Sequence, residues 1–477
     1  MFAMILLCIL VAFFAVIFLR MLMFKPKAQP AISDEEVSFD KDGAVNALGE
    51  LVKCKTISYS DHTLENDAEF QKLIDKLPDL YPAVFKTCQF QQLPDRALLF
   101  KWPGKTEGDP AVMMAHYDVV PVNEDQWEKP AFEAIIEDGV MWGRGTLDTK
   151  VTFNGVLFAA NHLINQGFVP ERDVYFAFSG GEEVNGKGAP NIVEWFRQQG
   201  ITPAMVVDEG GAVVENVFPG VKQPCGLIGI AEKGMINASF RCKSSGGHAS
   251  APKPHTPVGI LSRACTKVEG NPFKAHIKGP AAQMFDTLGR YSTPLYRMIF
   301  ANMWCFGWVI DLLGKLSGGE MNALVRTTVA FTQMEGSTAP NVIPPEAKMV
   351  ANMRLNPSDS VESALAYLRE VVNDEAVEIT ALQSFEPSRV STTACAGWDK
   401  VSASVAETWR GSIVAPYLMV QCSDSRHWGC ISDKVYRFSA MDLTAAERAT
   451  IHGNNERIRL ETVAKAVEFY IRLMSKC

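Results

Sequence analysis

Three short apolar runs, Ala111–Ala115, Val174–Phe178 and Ala204–Val207, are each followed closely by a histidine or paired carboxylates. His116 follows the first, Glu182–Glu183 the second and Asp208–Glu209 the third. Between the first two runs lies Thr152–Gln166, apolar at helical spacing and stopped by Gly167. Between the next two lies Asn191–Gln199, stopped by Gly200. This strand–helix–strand alternation predicts an α/β fold with a mixed, mostly parallel sheet sandwiched by helices. Ligands of such sheets bind beyond the carboxyl ends of the strands, so the polar residues after the three runs converge on one site.

At 477 residues the chain is too long for one compact core. Its texture changes near Gly234. Ile236–Lys243 and Lys348–Leu355 alternate apolar with polar residues, as half-exposed antiparallel strands do, and Asn356-Pro357 ends the second. We therefore expect an α+β lid or dimerisation domain inserted at residues 234–356, within a catalytic domain of residues 43–233 and 357–477. Helices at Val361–Val372 and Glu461–Met474 would return to the catalytic layer. Met298–Ile310 is uncharged, aromatic-rich and too short to cross a membrane. It reads as a buried helix of the insertion, with an apolar surface for lipid, an acyl chain or a partner subunit as the alternative.

Residues 1–24 stand apart. Phe2–Leu19 carries no charge, Arg20 interrupts it, and Met21–Phe24 is apolar again. About 20 apolar residues suffice for a transmembrane helix. No basic segment precedes the run and no small-residue cleavage site follows it, so a single-pass anchor is favoured over a cleaved signal segment. Arg20, Lys25 and Lys27 would place the catalytic part in the cytoplasm by the positive-inside rule, but three charges do not fix the side. Residues 25–42, with Pro26 and Pro30, read as a linker.

The net charge of −8 argues against nucleic acid, which rewards a basic face. Eleven cysteines form no CxxC pair, and Cys422 and Cys430 read as reduced thiols rather than a disulfide.

The acidic residues and histidines suit a two-metal site. His116 and Asp118 are two residues apart on an extended segment and share a face. The histidine can bind metal while the aspartate holds its other ring nitrogen. Asp148 follows Gly143-Arg144-Gly145 at a tight turn, where a helix N-cap is the simpler role. Adjacent carboxylates such as Glu182–Glu183 repel one another unless a cation neutralises them. One can serve a metal and the other a water. Asp208–Glu209 repeats this form, and His452 adds a late imidazole.

In order, HYDVVPV, GRGTLDTK, GGEEVNG, VVDEGG, GGHASAP and the late histidine resemble the zinc aminoacylase/carboxypeptidase family of metallopeptidases. The likeness is nearest the branch of carboxypeptidase S and the N-fatty-acyl-amino-acid hydrolase/synthase. It implies a zinc-exopeptidase-like catalytic domain and two zinc ions per subunit, with cobalt or manganese as substitutes. Metal ligands would be His116 and Asp208 on one ion, Glu183 and His452 on the other, and Asp148 between them. Asp118 would orient His116, and Glu182 would be the general base. His248 would help hold the oxyanion, across a homodimer interface formed by the inserted domain. Asn341 and Arg354 would grip the substrate carboxylate, with Asp424 and Arg426 as further lining residues.

The expected reaction is hydrolysis of a peptide or N-acyl amino acid to release a free amino acid. A catalytically silent membrane-anchored relative, acting in binding or scaffolding, is the alternative.

Overall fold

The computed structural model describes residues 1–216 and 218–477. The chain first lays down strands β1 (Gln89–Leu93), β2 (Ala97–Trp102), β3 (Ala111–His116), β4 (Val174–Ser179), β5 (Met205–Val214) and β6 (Cys225–Glu232). A second group follows: β7 (Gly234–Lys243), β8 (Thr328–Glu335), β9 (Glu346–Leu355) and β10 (Val377–Phe385). The chain returns with β11 (Ile413–Met419) and β12 (Val435–Leu443). Helices α1 (Phe2–Met23) and α2 (Lys150–Asn165) belong to the first part. In the middle lie α3 (Gly279–Gly289), α4 (Pro294–Ala301), α5 (Met303–Ser317), α6 (Gly319–Val325) and α7 (Val361–Val372), and α8 (Leu460–Met474) comes last.

The large sheet has the order β1-β2-β4-β3-β5-β12-β6-β11. Its centre, β4-β3-β5-β12, is parallel, as the sequence predicts. Side chains alternate along each strand. Met113, Ala115, Phe176 and Phe178 face a core shared with α2 and α8, whereas Val112, Met114, Tyr175 and Ala177 pack with Phe196 and Trp428. Burial on both faces is why these strands read as unbroken apolar runs. The rings of Phe153 on α2 and Phe178 on β4 lie 4.4 Å apart. Truncating either to alanine would cost about 3–5 kcal/mol. The expected stop of α2 is present: Gly167 adopts φ +77°, a left-handed conformation natural to glycine.

The second sheet, β8-β9-β7-β10, is antiparallel throughout. Its boundaries differ from those expected. Ile236, Ala238 and Phe240 pack on Ala364 and Leu368 of α7. So α7 and β10 complete the second sheet instead of rejoining the catalytic layer at residue 357. Conversely, Phe285 of α3, Phe300 of α4 and Leu324 of α6 lie in the core of the large sheet. The interval 234–356 is thus not one insertion, because its helical middle covers the catalytic layer.

Met298–Ile310 is not a single buried helix. It breaks at Asn302, where α4 and α5 turn by 113°, and leaves Trp304 and Trp308 60% and 65% exposed. Phe300 of α4 and Ile310 of α5 reach the core, while the opposite side of α5 does not. The 25–42 stretch also differs from a free linker. Lys27 pairs with Asp286 at 2.6 Å, the Val414 amide donates to Gln29 Oε1 at 3.0 Å, and Arg472 donates to the Glu35 carbonyl at 3.0 Å. Among the described residues, α1 is the single unbroken helix long and apolar enough to cross a membrane.

Candidate metal centre

His116 and Ser179 end neighbouring parallel strands. Gly180-Gly181 then swings Glu182 and Glu183 back over the strand ends. A Cβ on Gly180 would lie 2.6 Å from the Tyr117 ring, so the turn requires glycine there. Asp118 fastens the turn. Its Oδ1 accepts from the Glu182 amide at 3.1 Å, its Oδ2 from the Glu183 amide at 3.2 Å, and Ser58 donates to Oδ2 at 2.8 Å. The Asp118 carbonyl lies 3.0 Å from His116 Nδ1 and its carboxylate 3.4 Å away. Asp118 therefore orients His116 mainly through its backbone, and positions both glutamates as well.

Asp148 stands between two imidazoles. Its Oδ1 is 3.0 Å from His116 Nε2 and its Oδ2 is 2.9 Å from His452 Nε2. Glu183 Oε2 lies 3.1 Å from His452 Nε2, and Glu209 Oε1 lies 3.4 Å from His116 Nε2. Asp208, expected beside His116, makes no close pair with it: its Oδ2 accepts from the Ser425 amide at 2.8 Å, while the charge of His116 still acts on the carboxylate. Successive residues of β5 point to opposite sides. Of the pair, Glu209 is the one that comes within 4 Å of His116.

The centre is crowded with acid. Burial drives the Glu182 carboxyl well above the ordinary carboxylate range, and Asp424, Glu209 and Glu183 push the same way. Burial also raises Asp208 to about 7, with Asp424 adding, and Glu209 to about 8, with Asp148 adding. Asp148 lies below its usual value: burial opposes its charge, but His116 and His452 outweigh it. Hydrogen bonding to Asp148 and Glu183 lifts His452 to about 10. Glu183 Oε1 is buried and finds no hydrogen-bond partner among the described residues. So many buried carboxylates cannot all ionise around two imidazoles alone, and divalent cations remove that conflict. The ligand atoms of His116, Asp148 and Glu183 lie within 4.8 Å of one another, as do those of His116, Glu182 and Glu209. Imidazole nitrogen and carboxylate oxygen are donors that zinc accepts. The residues fit a metal centre.

One positioning residue escaped the sequence reading. Glu456 is fully buried and ties the Asp148 turn to the His452 loop. It accepts from Arg144 at 2.6 Å and from the amides of Gly145, Leu147 and Asp148 at 3.0, 2.7 and 3.2 Å. Arg144 also donates to the Gly453 carbonyl at 2.8 Å. This clamp holds His452 at φ +58°, a left-handed conformation that costs a non-glycine residue on the order of 1–3 kcal/mol. An acidic residue four positions after the late histidine, in HGNNE, was the available signal.

The remaining candidates lie at different distances from the centre. Asp424 is buried against it and accepts from Ser179 Oγ. Arg426 is turned outward, donating to the Ser423 carbonyl at 2.7 Å and to Asn185 at 3.1 Å. Arg354 donates to Cys422 Sγ at 3.2 Å. His248 and Asn341 sit together on an exposed two-stranded ribbon, where the Ala249 amide donates to the Asn341 carbonyl at 2.9 Å. Neither lines the cavity at the cluster. That cavity, about 460 Å³, begins at Asp148, Glu182, Glu209 and His452 and includes Cys422. It continues along Leu227, Met284, Met321, Leu324, Met441 and Leu443, an apolar wall built partly by α3 and α6.

The model of peptidase family M20/M25/M40 matches residues 112–476. An N-fatty-acyl-amino acid synthase/hydrolase of Xenopus tropicalis is 36% identical over 439 residues, covering 90% of this chain and 85% of the relative. A probable carboxypeptidase S-like protein of Dictyostelium discoideum is 32% identical over 461 residues, covering 94% and 88%. The crystal structure of an M20 family metallo-carboxypeptidase from Sulfolobus solfataricus superposes with a TM-score of 0.65 at 17% identity, covering 91% of this chain and 98% of that one. At that identity the likeness bears on fold alone. The chain belongs to peptidase family M20/M25/M40, a family of amide-bond hydrolases.

Proposed function

We propose that this chain is a dinuclear zinc hydrolase that releases a free amino acid from N-acyl amino acids with long apolar acyl groups, and from peptides with apolar side chains. The carrying observation is the cavity that starts at Asp148, Glu182, Glu209 and His452 and becomes apolar at Met284, Met321 and Leu324. The N-fatty-acyl-amino acid synthase/hydrolase relative supports the acyl reading, and the carboxypeptidase S-like relative supports the peptide reading. The comparisons lend nothing to a silent scaffold, and Glu182 and the imidazole–carboxylate set are all retained.

His116 and Glu209 would hold one zinc, His452 and Glu183 the other, with Asp148 between. Cobalt or manganese accept much the same donors. When bound, the metals polarise the scissile carbonyl and acidify a water. Glu182 makes no ion pair with either histidine, and burial raises its affinity for protons, as suits a group that accepts a proton and returns it. It takes the proton of the attacking water and delivers it to the leaving nitrogen. Arg354, beside the cavity through Cys422, would bind the carboxylate of the released amino acid. Asp424 backs Glu182. His248 and Asn341 would reach the site from the exposed ribbon of a partner copy.

We also read α1 as a membrane anchor: it has 22 residues, and an 18-residue stretch of it has a mean hydropathy of 3.2. A panel of N-acyl amino acids and dipeptides, assayed with the purified zinc-loaded chain, tests the activity. KM should fall as the acyl chain lengthens. Hydrolysis confined to short polar acyl groups would contradict the reading.

A further inference from the structure

The exposed apolar face of α5 is continuous with α1. Trp304, Trp308, Leu312 and Leu316 recur every fourth residue, at 60%, 65%, 46% and 76% exposure, and form one stripe. Leu295 on the preceding helix α4 is also 64% exposed. Such a surface has a partner. Its neighbour is α1 itself. Phe13 meets Trp304 edge-on with centroids 6.0 Å apart, Asn302 donates to the Ile17 carbonyl at 3.1 Å, and Arg20 donates to the Ala301 carbonyl at 3.2 Å.

These contacts set a depth. Arg20 is the charge that interrupts the apolar segment, and a lone arginine near a helix end stays at headgroup level. Phe13 lies seven residues further into the span, about 10 Å deeper along the helix axis. Trp304 touches Phe13. An α1 that crosses a bilayer therefore carries the start of α5 below the headgroups. Interfacial amphipathic helices sit about 5–10 Å deep. Tryptophan is also enriched at membrane boundaries.

We infer that α5 is an interfacial membrane helix, docked in the same bilayer leaflet that α1 enters. This rests on the reading of α1 as an anchor and goes beyond it, because an anchored enzyme can otherwise hang free in water. The placement has a consequence for the active cavity. After Gly318, α5 leads into α6, whose Met321 and Leu324 line the apolar end of the cavity. The membrane-docked face and the acyl-binding wall are thus consecutive in the chain. An acyl chain partitioned into the leaflet would reach the cavity beside α6.

The test uses the full chain reconstituted into phosphatidylcholine vesicles, with and without bromine on the acyl chains, and floated to remove unbound protein. Wild type is compared with Trp304→Phe/Trp308→Phe, which keeps the face apolar. Bromine quenches only fluorophores within the bilayer. The inference predicts that both proteins float and that brominated lipid dims the wild type, by at most the share of two tryptophans among nine. The double variant should lose that dimming. A wild type that floats without dimming, or equal dimming of the two proteins, overturns the inference and leaves the anchor standing. A second copy of the chain covering α5 would give that result. Protein that does not float overturns both. None of these outcomes depends on hydrolysis, so failure of the catalytic reading is seen separately.

Discussion

His452 Nε2 lies 2.9 Å from Asp148 Oδ2, while the other oxygen of Asp148 faces His116 at 3.0 Å. One carboxylate thus joins an imidazole at the end of β3 to one in the loop before α8. The pair depends on Glu456, which anchors the turn of Asp148, and on Arg144, which grips the loop of His452. The geometry supports a bridging role for Asp148 between two terminal sets.

Glu209→Ala should reduce bound zinc from two ions per chain towards one, measured by atomic emission after dialysis. Asp208→Asn should leave the metal content at two, because its carboxylate meets the Ser425 amide and not an imidazole. Loss of zinc in the Asp208 variant alone would reverse the assignment.

Glu182→Gln should keep both metals and the wild-type melting temperature while lowering kcat about 10²–10⁴-fold, the usual contribution of a positioned acid–base group. An unchanged kcat would remove Glu182 as the base.

Glu456→Ala leaves the Arg144 guanidinium buried without its partner. Breaking a buried pair in this way costs about 3–5 kcal/mol. Urea unfolding of the purified variant should show that loss, together with weaker zinc binding because the Asp148 turn is no longer fastened. Glu456→Gln retains acceptors for the amides and should lose less.

Lys233 should make stability depend on pH. It is buried, donates to the Ala323 and Arg326 carbonyls at 2.9 and 2.8 Å, and is lowered to about 7 by burial, with Arg354 adding. At pH above the ordinary lysine value of 10.5 it is neutral whether folded or unfolded. As pH falls towards 7, only the unfolded chain takes up the proton, so stability declines; below that the loss is complete. The unfolding free energy should therefore rise between about pH 7 and 10.5. Lys233→Met should flatten that rise, measured by urea unfolding at a series of pH values.

The strands that carry the centre were legible because burial on both faces makes them unbroken apolar runs. The motifs that follow β3 and β4 were legible for the same reason. The division between Asp208 and Glu209 was not, since a one-residue choice of facing depends on register and on Ser425, which is remote in sequence. The second sheet was half legible. β7 and β9 alternate clearly, but β10 is largely exposed and its VEITALQSF offers a weak pattern. The break at Asn302 hid within Met298–Ile310, because composition alone does not separate a core helix from one that faces lipid.

Titration of the chelated chain with zinc, read by hydrolysis of a long-chain N-acyl amino acid, tests whether two ions are needed. Activity should vanish on chelation and return fully only as a second equivalent of zinc per chain is bound. Undiminished turnover of the fully chelated protein, or full activity with a single ion, would contradict a centre built around Asp148.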